Sequence, residues 1–187
     1  MASKIDIINY AFYLIGETGI ESLEEGSKKA DIASGLYPLA LEDFLGEYKW
    51  YFATKRMNLS LENDDNDGDY KYSFYLPDDF IKIVDVNFDE NAEYRLERGL
   101  LYYGDDEVTL RYVFKQEDIN VFHPKARTAL AYNLASKIVY PLFRDDRNLA
   151  VFEQKYLIAL EKAKQFDGGN YIGLDNSTED GLEWKSM

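Results

Sequence analysis

The densest run of potential metal ligands in this 187-residue chain is Asp64-Asp65-Asn66-Asp67-Gly68-Asp69. With Gly68 at the sixth position of a calcium loop, Asn63, Asp65 and Asp67 occupy positions one, three and five, where oxygen ligands are needed. Position twelve is then Phe74, where a bidentate Glu is required, and the pattern that follows is that of a strand, not a helix. A solvated turn between strands accounts for the run better, with a calcium-binding or hydrolytic site at 64–69 as the alternative. His123 is the single histidine, and any Ser-His-Asp triad or imidazole metal site must use it. No G-x-S-x-G elbow accompanies it. Its place before Pro124, at the start of a helical pattern, fits a turn or capping role. Gly26-Ser27-Lys28 lacks the order and the spaced glycine of a phosphate loop, and there is no G-x-G-x-x-G. With 35 acidic residues, some carboxylate pair always lies near a hydrolytic separation, so no one pair stands out. The chain has no cysteine, which excludes disulfides, thiolate zinc sites and cysteine nucleophiles. The expectation is a non-enzyme with no cofactor and no metal.

Charge narrows the partners. The formal net charge is −14, from 35 acidic and 21 basic residues. By segment it is −5 over 1–50, −9 over 51–120, +3 over 121–167 and −3 over 168–187. A field of that sign repels nucleic acid and anionic lipid. Basic residues do not interleave with aromatics as in single-strand binders. Apolar residues make up 46% and aromatics 16%, enough for a folded core. No apolar run approaches the roughly 18 residues of a membrane span, and the first six residues lack the features of a signal peptide. Synthesis in the cytosol is expected.

The elements that would carry any site follow from periodicity. Ile5, Ile8, Phe12 and Ile15 trace one stripe of a helix over 3–15, started by a Ser3/Asp6 capping box and stopped by Gly16 and Gly19. Ser27 caps a second helix over about 28–49, in which Pro38 is expected to introduce a kink. Met57, Leu59 and Leu61 then alternate as a strand, as do Tyr70, Tyr72, Phe74 and Leu76. Residues 80–88, 94–97, 100–103 and 108–114 add further strands, with Arg98-Gly99 and Gly104-Asp105-Asp106 as turns. Pro124 opens a third helix, with Ala126, Leu130, Leu134 and Ile138 on its stripe, and Pro141 ends or bends it. Asp145 or Asp146 caps a fourth, which buries Leu149, Phe152, Tyr156, Leu160, Ala163 and Phe166; the pattern dissolves at Gly168.

The fold class expected is therefore α+β. An antiparallel-packed bundle of four main helices (1–53 and 117–167) carries a small, mostly antiparallel β-sheet lobe (54–116) between helices two and three. The sheet has one wet face and projects from the bundle. An extended C-terminal arm spans 168–187. Its Tyr171, Ile172, Leu174, Leu182 and Trp184 are too sparse to bury one another. They mark either a frayed terminus or anchors that insert into a partner.

Several residues, in order, carry a resemblance. Asn9 with Leu14-Ile15-Gly16-Glu17, Ile20-x-Ser22-Leu23, Tyr37-Pro38 and Trp50-x-Phe52-Ala53 resembles the tail tubular protein A family of podovirus-like bacteriophages, the head-to-tail adaptors. Tyr75-Leu76-Pro77-x-Asp79, Ala129-Leu130-Ala131-Tyr132-x-Leu134-Ala135, and Tyr156, Leu160 and Ala163 extend it across about residues 5–166. The acidic loop and the tail match nothing in that pattern. The resemblance implies a structural virion protein of the tail or neck that forms a homo-oligomeric ring, typically of twelve subunits. The ring would sit between the portal protein and the tail nozzle protein, and DNA would pass through without specific binding. Ile15, Gly16, Glu17, Pro38, Trp50, Phe52 and Ala53 then serve as scaffold rather than site. An acidic protein-interaction module of low oligomeric state is the main alternative.

Overall fold

A computed structural model describes residues 2–63, 68–144 and 146–171. Helix α1, Lys4–Leu14, starts at the Ser3/Asp6 capping box. Ser3 Oγ accepts from the Asp6 amide at 3.2 Å, and the Asp6 carboxylate accepts from the Ser3 amide at 2.7 Å. Gly16, at φ +83°, turns the chain out of the helix, and the Glu17 amide donates back to the Phe12 carbonyl at 2.9 Å. Asn9 then fixes the returning loop, donating to the Ile20 carbonyl at 3.0 Å and accepting from its amide at 2.8 Å. A Cβ on Gly19 would sit 2.8 Å from the Asn9 side chain, so this position needs the close approach that glycine allows.

Helix α2, Lys28–Gly46, is capped by Ser27, whose Oγ accepts from the Ala30 amide at 3.2 Å. Pro38 lies inside it and does not end it. The proline removes one amide from the ladder, while Tyr37, Ala40, Leu41, Phe44 and Leu45 are buried in the core on both sides of it. Helix α3, Pro124–Phe143, begins on the proline, passes Pro141 and ends at Arg144 in the left-handed conformation, φ +52°. Helix α4 spans Asp146–Tyr171. It packs along α3, whose fully buried Ala126, Ala129, Ala131 and Ala135 let its neighbours α1, α2 and α4 approach closely. The helix does not stop at Gly168 as its sequence pattern implies. A Cβ at Gly168 would lie 3.4 Å from the Tyr48 hydroxyl, an ordinary contact inside the helix.

The single projecting sheet is overturned. Between α2 and α3, after one 3₁₀ turn at Tyr51–Ala53, the described residues form seven strands in two antiparallel sheets. Strands β1 (Thr54–Asn58), β7 (Thr109–Phe114) and β4 (Phe80–Val86) form one sheet in the order β1-β7-β4. Strands β2 (Leu61–Asn63), β3 (Tyr72–Tyr75), β6 (Leu100–Tyr103) and β5 (Arg95–Glu97) form the other in the order β2-β3-β6-β5. The alternating run Met57–Leu61 is the reason for the difference. The chain leaves the first sheet at Leu59, whose amide donates to the Val108 carbonyl at 2.9 Å. It enters the second at Ser60, whose carbonyl accepts from the Tyr75 amide at 3.1 Å. Alternation marks extended backbone but does not say which neighbour it pairs with.

Nor is the three-stranded sheet wet on one face. On one side Val84 and Val113 join the helical core, and on the other Val86, Leu110 and Tyr112 meet Phe74 and Leu101 of the second sheet. Register irregularities in β4, between Phe80 and Lys82 and between Ile83 and Asp85, allow that strand to serve both faces. Helices, three-stranded sheet and four-stranded sheet thus lie in successive layers. Across the middle sheet, Asp85 is buried with Arg111 at 3.3 Å and Arg56 at 3.8 Å, an ionic row over three paired strands.

Candidate interaction surfaces

The residues of the Trp50 segment meet where helices hand over to the sheet. Trp50 is fully buried; its ring stacks on Phe44 at 4.6 Å and lies 5.5 Å from Phe52, and its indole N–H donates to the Phe44 carbonyl at 3.0 Å. Ala53 is also fully buried, and Ile15 and Phe52 pack partly buried against the same core. Glu17 lies 3.5 Å from Lys29, closing the Gly16 turn onto α2. These residues hold elements together.

His123 caps α3, its Nδ1 accepting from the Ala126 amide at 3.1 Å. That bond places the proton of the neutral ring on Nε2, which lies buried 3.6 Å from Asp167 of α4. Asp167, itself buried, accepts from the Tyr51 amide at 3.0 Å. The cluster ties α3, α4 and the 3₁₀ turn together. Sequence reasoning isolated the histidine because it is the only one, but nothing distinguished Asp167 among so many carboxylates.

Burial, and secondarily the Arg127 charge, pull His123 below its ordinary value of 6.5. Burial pushes Asp167 above 3.8, against the lowering influence of the Tyr51 amide. The signs are opposite. The folded chain resists protonating His123, so stability is lost as pH falls below 6.5 toward the folded pKa. The folded chain holds the Asp167 proton longer than the unfolded one, so stability is lost as pH rises from 3.8 through the folded pKa. Urea midpoints measured between about pH 4 and pH 7 should separate the two. His123→Asn, which keeps a capping oxygen, should flatten the acid-side loss. Asp167→Asn should remove the decline on the other side. Profiles parallel to that of the wild type would contradict both.

Two surface grooves of opposite charge lie on the helical layer. Glu42 and Asp43 of α2, Glu47 at its C-cap and Glu153 of α4 surround Phe80, Ile81 and Tyr156. Lys115 reaches Glu42 at 2.7 Å and Lys137 reaches Asp43 at 2.5 Å; Glu47 and Glu153 have no such partner among the described residues. The other groove runs between α3 and α4. Lys125, Lys155 and Lys162 frame Tyr132, Ile158 and Ala159, with no carboxylate in its lining. The +3 balance of 121–167 hinted at it, but the lysines converge only once α3 and α4 pack.

Of the tail anchors, Tyr171 is the last residue of α4, while Ile172, Leu174, Leu182 and Trp184 lie outside the described residues. So do residues 64–67 of the acidic loop; of its remainder, Asp69 lies 3.9 Å from Arg95. Among the described residues no group of three or more His, Asp or Glu is placed to hold a metal ion, and no helix is long and apolar enough to cross a membrane. No protein-family model matches the chain, and no curated protein matches it.

Proposed function

We propose that the chain is a non-enzymatic component of a bacteriophage virion, the subunit of an adaptor ring joining portal to tail nozzle. The observation that carries the reading is where the residues of the resemblance fall. Asn9, Ile15–Glu17 and Ile20 make the clamp at the end of α1, and Trp50–Ala53 form the joint between the bundle and the middle sheet. A part that must keep two lobes at a fixed angle under load needs its most constrained residues at such joints. Within the ring, the helical layer and the 172–187 tail dock on the portal, and the β layers point toward the nozzle. The segment 51–120, at −9, faces the channel and lets DNA slide past without binding.

Electron micrographs of the purified protein mixed with portal provide the test. Rings stacked on portal vertices are the expected result. A monomer or small oligomer that never joins the portal would overturn the reading and favour an acidic interaction module. Deleting 172–187, which spares α4, should weaken portal attachment while leaving the helical circular-dichroism signal intact. Unchanged co-assembly would remove the tail from the contact.

A further inference from the structure

We infer that the lysine groove between α3 and α4 receives the acidic groove of a second copy of this chain, head to tail. Both grooves hold charges that their own helices disfavour. Lys125 sits in the first turn of α3, which carries no acidic residue, so a cation faces the positive end of the helix dipole. Glu42, Asp43 and Glu47 crowd the last turn and C-cap of α2, where no basic residue lies, so anions face the negative end. The lysine groove has no carboxylate in its lining, while the acidic groove sets four carboxylates against one lysine, Lys137, and leaves Glu47 and Glu153 without an ion-pair partner among the described residues. Each also offers apolar surface beneath its charges: Ile158 is 52% exposed in the lysine groove, and Phe80 and Ile81 are half-buried in the acidic one.

The placement of the grooves dictates the symmetry. At about 100° per residue, α4 puts Lys155, Ile158 and Lys162 on one flank of its buried stripe and Glu153 on the other. Two patches facing apart cannot satisfy each other within one two-fold pair, so the contact is heterologous and propagates from copy to copy. The proposal rests on the adaptor reading only for closure of that series into a ring.

Charge exchange tests it, because five exposed charged groups of the two grooves can be reversed without touching the core. One variant carries Lys125→Glu, Lys155→Glu and Lys162→Glu; the other carries Glu47→Lys and Glu153→Lys. All five side chains are exposed, and circular dichroism and melting temperature check that both variants fold. Sedimentation velocity on the full chain at low and high salt, and micrographs with portal, supply the readouts. The wild type should self-associate in a salt-sensitive way, and each variant alone should do so roughly tenfold more weakly or worse. An equimolar mixture of the two should associate again, since every contact then pairs a basic with an acidic face. Wild-type association by either folded variant, or a mixture no better than its parts, would overturn the proposal. Portal-bound rings built from a single reversed variant would sink this contact and leave the adaptor reading standing. Salt-sensitive association rescued by mixing, without rings on portal, would do the reverse. A wild type that associates neither alone nor on portal would overturn both.

Discussion

Replacing Trp50 with alanine should lower the unfolding free energy by about 3–5 kcal/mol, among the largest effects any single substitution can have here. The ring is wholly buried, stacked on Phe44 and bordered by Tyr48, Phe52 and His123 at 5.1, 5.5 and 6.3 Å. Truncation opens a cavity among side chains that cannot collapse into it, because α2, α3 and the sheet hold them from three directions. It also takes from the Phe44 carbonyl, near the C-terminus of α2, the indole N–H at 3.0 Å and leaves it only the longer bond from the Glu47 amide at 3.3 Å. Trp50→Phe separates the two terms, keeping much of the volume and losing the donor; it should cost about 1–3 kcal/mol. Urea titrations followed by far-ultraviolet circular dichroism measure both. Against a total stability of about 5–15 kcal/mol, that loss is about a fifth or more of the whole, and at the low end of the range it brings the alanine variant close to unfolding. A loss under about 1 kcal/mol would mean that the joint between bundle and sheet is held elsewhere.

The helices could be read from the sequence because their signals are local. Ser3 with Asp6, Ser27 and Pro124 announce starts that the backbone obeys, since a cap acts on amides only two or three residues away. Pro38 lies inside α2, as the sequence placed it, with Tyr37 and Leu41 buried beside it. Gly168 shows where local reading fails: the periodic pattern dissolves there, yet α4 runs on to Tyr171 past the buried Asp167. Two sheets replaced one for a related reason. Strand pairing depends on contacts far apart in sequence, and nothing at Leu59-Ser60 announces the crossing from one ladder to the next. The candidate surfaces were less legible still. Lys125 is 30 residues or more from Lys155 and Lys162, and the groove they share exists only through helix packing.

The layering of the sheets predicts an unequal stability. The four-stranded sheet is held through one small cluster, in which Phe74 and Leu101 meet Val86, Leu110 and Tyr112 of the middle sheet. The helical core is separate and much larger. Phe74→Ala removes the largest apolar side chain that the outer sheet contributes to this cluster, at a local cost of about 3–5 kcal/mol. Because β2, β3, β5 and β6 gain their burial only there, that loss should open the outer sheet without unfolding the bundle. Hydrogen exchange followed by mass spectrometry should show amides of 72–75 and 100–103 exchanging on the order of 100-fold faster or more. Amides in α1, α2 and α3 should keep their wild-type rates. The middle sheet should fall between, since β7 also packs Val113 into the helical core. Uniform acceleration across the chain would mean that the layers unfold as one cooperative unit.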